Sequence, residues 1–310
     1  MYQTRSRVIL TVLLLLAGFS VSCEHIRLLP DPQVVEVQDD TVIFAVIGDY
    51  GLAGEAEEAV AQMVKSWDPD FIITTGDNNY PAGEFTTLYA NIGQYYQDYI
   101  YNPDAPEQHR CTGLASDSAY NRFFPCPGNH DAGNIRGLTP YLSYFTLPGQ
   151  ELYYSFIWGD AEFFSINSLS DLSFQEKWLG DRLRASTRKF RIVYFHHAPY
   201  SPGSHGDSPQ MQWPFHSMGA DLVLSGHDHI YARVERSDEP GLHYIVTGAG
   251  GKSLYSCDST RLQDPPFSCV STSEDYSAVY VRITGDELYL ACFLIGSQEQ
   301  PFDELLIRKP

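Results

Sequence analysis

Short apolar runs along this chain end, again and again, in polar turns. Val42–Ile47 runs into Gly48-Asp49-Tyr50-Gly51, and Phe71–Thr75 into Gly76-Asp77-Asn78-Asn79-Tyr80. Phe123–Cys126 leads to Pro127-Gly128-Asn129-His130-Asp131. Phe190–Phe195 stops at His196-His197, and Asp221–Ser225 at Gly226-His227-Asp228-His229. Such short runs, rich in Val, Ile and Phe, predict buried strands. Between them, apolar positions recur at helical spacing over Glu55–Ser66, Phe85–Tyr99 and Ser173–Ser186, the last with Phe174, Trp178 and Leu183. The aromatic stretch Gln94–Tyr99 reads as the packing face of a helix with its tips exposed, in preference to a ligand platform. Strand and helix in alternation predict a layered α/β sheet.

The tail changes rhythm. His243–Thr247, Ala278–Ile283 and Glu287–Leu294 predict consecutive strands, with Thr284-Gly285-Asp286 as a hairpin turn. They are expected to add a second sheet to the same domain, making a sandwich. No internal repeat is present.

Residues 1–22 read as an export leader, with Arg5 and Arg7 ahead of an apolar run, Val8–Phe19, and small residues at Ser20 and Ser22. That run is too short to span a bilayer, which takes about 20 residues. Cys23 then has two readings: a lipid-bearing terminus of a lipoprotein, or a plain residue at the new end. Residues 23–40 read as a Pro-bearing linker and 41–308 as one domain. The expected location is secreted or periplasmic, touching a membrane only through a lipid on Cys23. Export permits disulfides. The pairs nearest in sequence are Cys111 with Cys126 and Cys257 with Cys269, while Cys292 sits in an apolar run and reads as a buried thiol. The polar loop Asp98–Asn121, which holds Cys111, has two readings: a cover over the site that sets specificity, or, the preferred one, a disulfide-pinned surface loop.

In a chain of 310 residues, 43% hydrophobic and 14% aromatic, there is enough apolar surface to exclude intrinsic disorder. The net charge of −19 repels phosphate backbones, so nucleic acid is not an expected partner. Taken singly, a Gly-Asp turn or a lone His is most often structural. Jointly, two Gly-Asp turns, Asn-His-Asp, His-His and Gly-His-x-His at strand ends place carboxylates and imidazoles where ligands of α/β sheets collect. Burying them without a cation costs several kcal/mol each, and mixed imidazole and carboxylate donors suit zinc, iron or manganese.

This order of motifs resembles the metallophosphoesterase (calcineurin-like) superfamily over about residues 41–308. Gly76-Asp77-Asn78-Asn79-Tyr80 is similar to the Gly-Asp-x-x-Tyr motif of its purple acid phosphatase branch. Little chain precedes the first strand, which resembles the short, tartrate-resistant acid phosphatase-like forms. The resemblance implies a four-layer α/β/β/α sandwich of two mixed β-sheets flanked by helices. It implies two metal ions, ferric iron plus a divalent Fe, Zn or Mn. Asp49, Tyr80 and His229 would hold one ion, Asn129, His196 and His227 the other, and Asp77 would bridge them. His130 would touch the phosphate, and His205, nine residues after His196, would contact substrate. Asp131 is expected to orient His130, and His197 to point away from the site along its strand.

The activity implied is hydrolysis of small phosphate monoesters by attack of a metal-bound hydroxide. The alternatives are a phosphodiesterase or nucleotidase of the same superfamily, and a metal-binding protein with little hydrolysis.

Overall fold

Alternate side chains of one strand, Phe190–His197, feed two different cores. Ile192 and Tyr194 join one apolar cluster, while Val193 and Phe195 join another on the opposite face. A strand with both faces covered is the mark of a sheet buried between layers. The computed structural model describes residues 33–35, 41–113, 120–262 and 267–310. The leader, Cys23 and the remainder of 23–40 lie outside the described residues.

In chain order the strands are β1 (Gln33–Val35), β2 (Thr41–Ile47), β3 (Phe71–Thr74), β4 (Phe123–Pro125), β5 (Tyr154–Trp158), β6 (Ala161–Ser165) and β7 (Phe190–His197). They continue as β8 (Leu222–Gly226), β9 (Tyr231–Arg236), β10 (His243–Thr247), β11 (Phe267–Thr272), β12 (Ser277–Thr284), β13 (Glu287–Leu294) and β14 (Asp303–Arg308). The helices are α1 (Glu55–Ser66), α2 (Gln94–Tyr96), α3 (Thr139–Tyr144), α4 (Leu172–Ala185) and α5 (Phe215–Met218). Two mixed sheets result, ordered β1-β5-β6-β7-β8-β10-β9-β11 and β14-β13-β12-β2-β3-β4. Among the described residues, no helix is long and apolar enough to cross a membrane.

Aromatic rings fill the space between the sheets. Phe44 and Phe71 stack at 5.1 Å and both meet Phe163 edge-on at 5.2 Å, while Phe124 stacks on Phe156 at 3.9 Å. Offset and edge-to-face pairs of this kind add about 0.5–1.5 kcal/mol each beyond their burial. Helix α1 covers the outer face of the six-stranded sheet with Val60 and Val64. Helices α4 and α5 cover the other sheet with Trp178, Leu179, Leu183 and Phe215. The α/β sandwich expected from the sequence is therefore the observed architecture.

Four details differ. The tail does not form one sheet: β10 inserts between β8 and β9, and only β12 to β14 join β2. Its run His243–Thr247 is apolar on both faces, as a central strand requires. Phe85–Tyr99 is not one helix but a 3₁₀ turn at Phe85–Thr87, a π turn at Tyr89–Gly93 and then α2. The wider turn carries Asn91 inward, where its amide donates to Asn79 Oδ1 and to the Tyr80 carbonyl. Within the stretch read as linker, 33–35 forms an edge strand beside β5. Finally, all five described cysteines are free thiols. Cys111 lies against the Tyr144 hydroxyl, and its loop is pinned instead by Asn102, which bonds Cys111 N and the carbonyls of His109 and Tyr144. Cys126 is buried where Thr74 and Asn78 bond its backbone, and Cys292 is a buried thiol as expected.

Glu57 stands out on the buried face of α1. Neither carboxylate oxygen has a hydrogen-bond partner among the described residues, and burial pushes its carboxyl well above the usual range. A raised folded-state pKa means that stability falls as pH climbs past the unfolded value, near 4.5. Glu57→Met should therefore raise the melting temperature, by about 1–3 kcal/mol in free energy, with a larger gain at pH 7 than at pH 4. Scanning calorimetry at both values checks this; a gain confined to acid would sink it.

Candidate metal centre

The parallel strands β2, β3 and β4 and, in the facing sheet, β7 and β8 all release their polar turns at one edge of the sandwich. Backbone bonds knit these turns together: Asp49 N donates to Gly76 O at 3.0 Å, and Thr75 N to Ile47 O at 2.9 Å. Asp49, Asp77 and His227 each adopt a left-handed backbone, with φ of 53°, 52° and 72°. For residues with a Cβ this conformation costs of order 1–3 kcal/mol, and such strain gathers at functional sites. Glycines make room for the carboxylates. A Cβ at Gly128 would lie 2.2 Å from Asp77 Oδ1, and one at Gly226 would lie 2.5 Å from Asp49 Oδ2.

The seven residues named as metal ligands converge here. Around one half, Tyr80 Oη lies 3.3 Å from Asp49 Oδ1, 3.2 Å from His229 Nε2 and 3.0 Å from Asp77 Oδ2. Around the other, His196 Nε2 lies 3.4 Å from Asp77 Oδ1, 3.0 Å from Asn129 Oδ1 and 3.2 Å from His227 Nδ1. Asp77 thus offers one oxygen to each half. Donor atoms of Asp49, Asp77 and His196 all fall within 4.8 Å of one another.

The imidazoles are aimed from behind. His196 Nδ1 bonds the Thr75 carbonyl at 2.9 Å and His229 Nδ1 the Ser253 carbonyl at 2.6 Å. A carbonyl can only accept, so both protons sit on Nδ1 and both Nε2 lone pairs face the cluster. Burial alone would lower the His196 and His229 pKa values, yet the Asp77 and Asp49 charges overcome it and raise both. His227 goes the other way, down to about 2, through burial and then the neighbouring imidazoles. Burial, followed by Asp49 and Asp77, pushes the Tyr80 phenol up. Two buried carboxylates, a phenol and lone pairs on facing imidazole nitrogens are an arrangement that fits cations, and the donor types fit the metals named above.

His130 flanks the Tyr80 side. Its ring lies 4.4 Å from that of Tyr80, Nδ1 bonds the Pro81 carbonyl at 2.6 Å, and Nε2 is 3.9 Å from Asp77 Oδ2. Its side chain is 41% exposed, so it borders the opening. His205 flanks the other side, stacked on His227 at 4.1 Å. Asp131 does not orient His130. It is buried beneath the turn and accepts from Gly128 N, Asn78 N and Asn78 Nδ2 at 2.8–3.2 Å, tying two ligand turns together. Burial, reinforced by Asp77, lifts its carboxyl to about 7.

His197 also departs from expectation. Register runs from Tyr194↔Leu224 to His197↔Gly226, so β7 holds one residue more than β8 across that step. This bulge turns His197 toward the site, with its ring 4.5 Å from that of His227. Burial, then the charge of His196, lowers its pKa to about 4.

Three other side chains at the centre were not singled out from the sequence. Asp228 accepts from Ser201 Oγ and His205 N, Tyr255 stacks on His229 at 4.0 Å, and the Lys252 ammonium lies 5.5 Å from the Tyr80 ring centre. Asp228 could have been found from its place between His227 and His229; nothing in the sequence marked Tyr255 or Lys252.

Residues 42–231 match the family model for calcineurin-like phosphoesterases. Purple acid phosphatase 17 of Arabidopsis thaliana is 26% identical over 253 residues, covering 69% of this chain and 70% of that protein. Purple acid phosphatase 3 of the same plant is 24% identical over 313 residues, 87% of this chain and 78% of its own length. Among solved structures, purple acid phosphatase PPD1 from yellow lupin (Lupinus luteus) seeds superposes with a TM-score of 0.69 at 15% identity. That match covers 89% of this chain and only 56% of the lupin chain, so this chain spans little more than half of it.

Proposed function

Because the chain belongs to the calcineurin-like phosphoesterase family, we propose that it is an exported acid phosphatase that hydrolyses small phosphate monoesters at a two-metal centre. The observation that carries this reading is the division of Asp77, one oxygen to the Tyr80 half and one to the His196 half. Asp49, Tyr80 and His229 would hold ferric iron, and Asn129, His196 and His227 a divalent Fe, Zn or Mn, with Asp77 between. When bound, such a pair activates water as a nucleophile and neutralises charge on the phosphoryl group.

The protein's own side chains do the rest. Thr75 and Ser253 carbonyls hold the His196 and His229 Nε2 lone pairs toward the cluster, where the ions would bind. His130 has its Nδ1–H committed to the Pro81 carbonyl, so in the imidazolium form its Nε2–H would donate to a phosphoryl oxygen. His205, fixed through its backbone to Asp228, stands where a leaving alkoxide could take a proton. The net negative charge of the chain does not oppose an anionic substrate, since metal ions held by these ligands would dominate the local field. Export rests on the leader over residues 1–22.

The test is hydrolysis of a chromogenic phosphate monoester and the matching diester by purified protein, with metals counted in the same sample. The expected result is dominant monoesterase activity with two metal ions per chain, one of them iron. Dominant diesterase activity would move the protein to the phosphodiesterase reading. Two bound metals without turnover of either substrate would make it a metal-binding protein instead.

A further inference from the structure

The bulge in β7 gives His197 a task that the motif pattern does not assign. Strand alternation would send its ring away from His196; the extra residue between Tyr194 and His197 brings it back beside His227. There it meets the ring of His227 at 4.5 Å and 51°, and that of His196 at 5.0 Å and 76°. Behind it stands Ser168, a buried residue three positions beyond β6. Ser168 Oγ lies 2.8 Å from His197 Nδ1 and also accepts from His197 N at 3.2 Å. One hydroxyl therefore grips both the ring and the backbone of the same residue. A ring held at Nδ1 cannot turn about its Cβ–Cγ bond without breaking that contact.

Among the described residues, no carbonyl backs His227 in this way. His196 and His229 are each oriented by a carbonyl on the nitrogen that faces away from the cluster. For His227 the ring contacts take that place, with His205 stacked at 4.1 Å and His197 packed at 4.5 Å. His205 rides on a loop beside the opening; His197 is anchored on a core strand.

We propose that His197, braced by Ser168, is a positioning residue that sets the orientation of His227 and with it the affinity for the divalent ion. This rests on the two-metal reading above. Groups that orient a metal ligand are commonly worth about 10–100-fold in metal affinity.

The experiment measures zinc binding by competition with a chromogenic chelator, in full-length protein, alongside iron content and the metal-free melting temperature. Ser168→Ala and His197→Phe should each weaken binding of the second ion by about 10–100-fold, while the first-bound ion and the melting temperature stay at wild-type values. Ser168→Thr, which keeps the hydroxyl, should restore affinity. The double variant should be no worse than His197→Phe alone, because Ser168 acts through His197. Unchanged affinity in His197→Phe, equal weakening of both ions, or additive losses in the double variant would each overturn the proposal. Wild-type protein that binds fewer than two ions would instead overturn the two-metal reading, and this inference with it.

Discussion

Asp77→Asn is expected to lower kcat on a phosphate monoester by about 10³-fold or more and to leave the protein with less than its full metal content. The substitution is nearly isosteric, which makes the expectation informative. An amide retains one carbonyl oxygen, which can keep accepting from His130 N, a bond of 2.8 Å in the wild type. Its NH₂ has no lone pair for a cation, so one half of the centre loses a donor and both halves lose a charge. Metal-free protein should respond in the opposite direction. Asp49 and Asp77 are buried close together, and two like charges at that distance repel each other where no metal ion stands between them. Removing one charge should leave the apo melting temperature unchanged or higher. Metal content, turnover and apo stability, measured on one preparation, test all three parts. Full activity with both ions retained would show that Asp77 does not bridge.

What the sequence made legible follows from how its signals arise. Asp49, Asp77, Asn129, His196 and His227 each end an apolar run, and a polar residue at the end of a buried strand needs a reason to be there. The sandwich was legible for the same reason, since its strands are short, apolar and bounded by turns. The features that escaped are those set by tertiary context. His197 was assigned to the wrong face because alternation presumes an unbroken register, and one extra residue in β7 reverses it. Phe85–Tyr99 has helical spacing throughout, but Asn91 must reach Asn79 and Tyr80, and the helix opens by a turn to let it. β10 resembles the strands that follow it, yet its pairing with β8 and β9 depends on partners far away in sequence. The cysteine pairs suggested by spacing fail likewise, because spacing along a chain says nothing of where two thiols come to rest.

Asp228→Ala should cost about 100-fold in kcat while leaving both metal ions in place. The Asp228 side chain touches none of the donor atoms; it points into the loop that carries His205. It accepts from His205 N at 2.8 Å and from the Ser201 hydroxyl, and Ser201 Oγ in turn accepts from Gly203 N at 3.0 Å. The loop wraps the carboxylate so closely that a Cβ on Gly203 would lie 2.2 Å from Asp228 Cγ. Removing the carboxylate frees the two groups bonded to it, His205 N and Ser201 Oγ, and opens a void under His205. A displacement of about 1 Å in a group that meets the substrate can cost about 10²-fold in rate. Asp228→Asn keeps one acceptor oxygen and should fall between the two, while His205→Ala should mask most of the effect if Asp228 acts by holding that loop. Kinetics of the two single variants and the double, with metal content alongside, decide the matter. Wild-type kcat in Asp228→Ala would mean that the His205 loop is held by its other contacts, Asp258 N to Pro202 O at 2.8 Å and Ser201 N to Asp207 Oδ1 at 2.8 Å, and that the buried carboxylate serves only the fold.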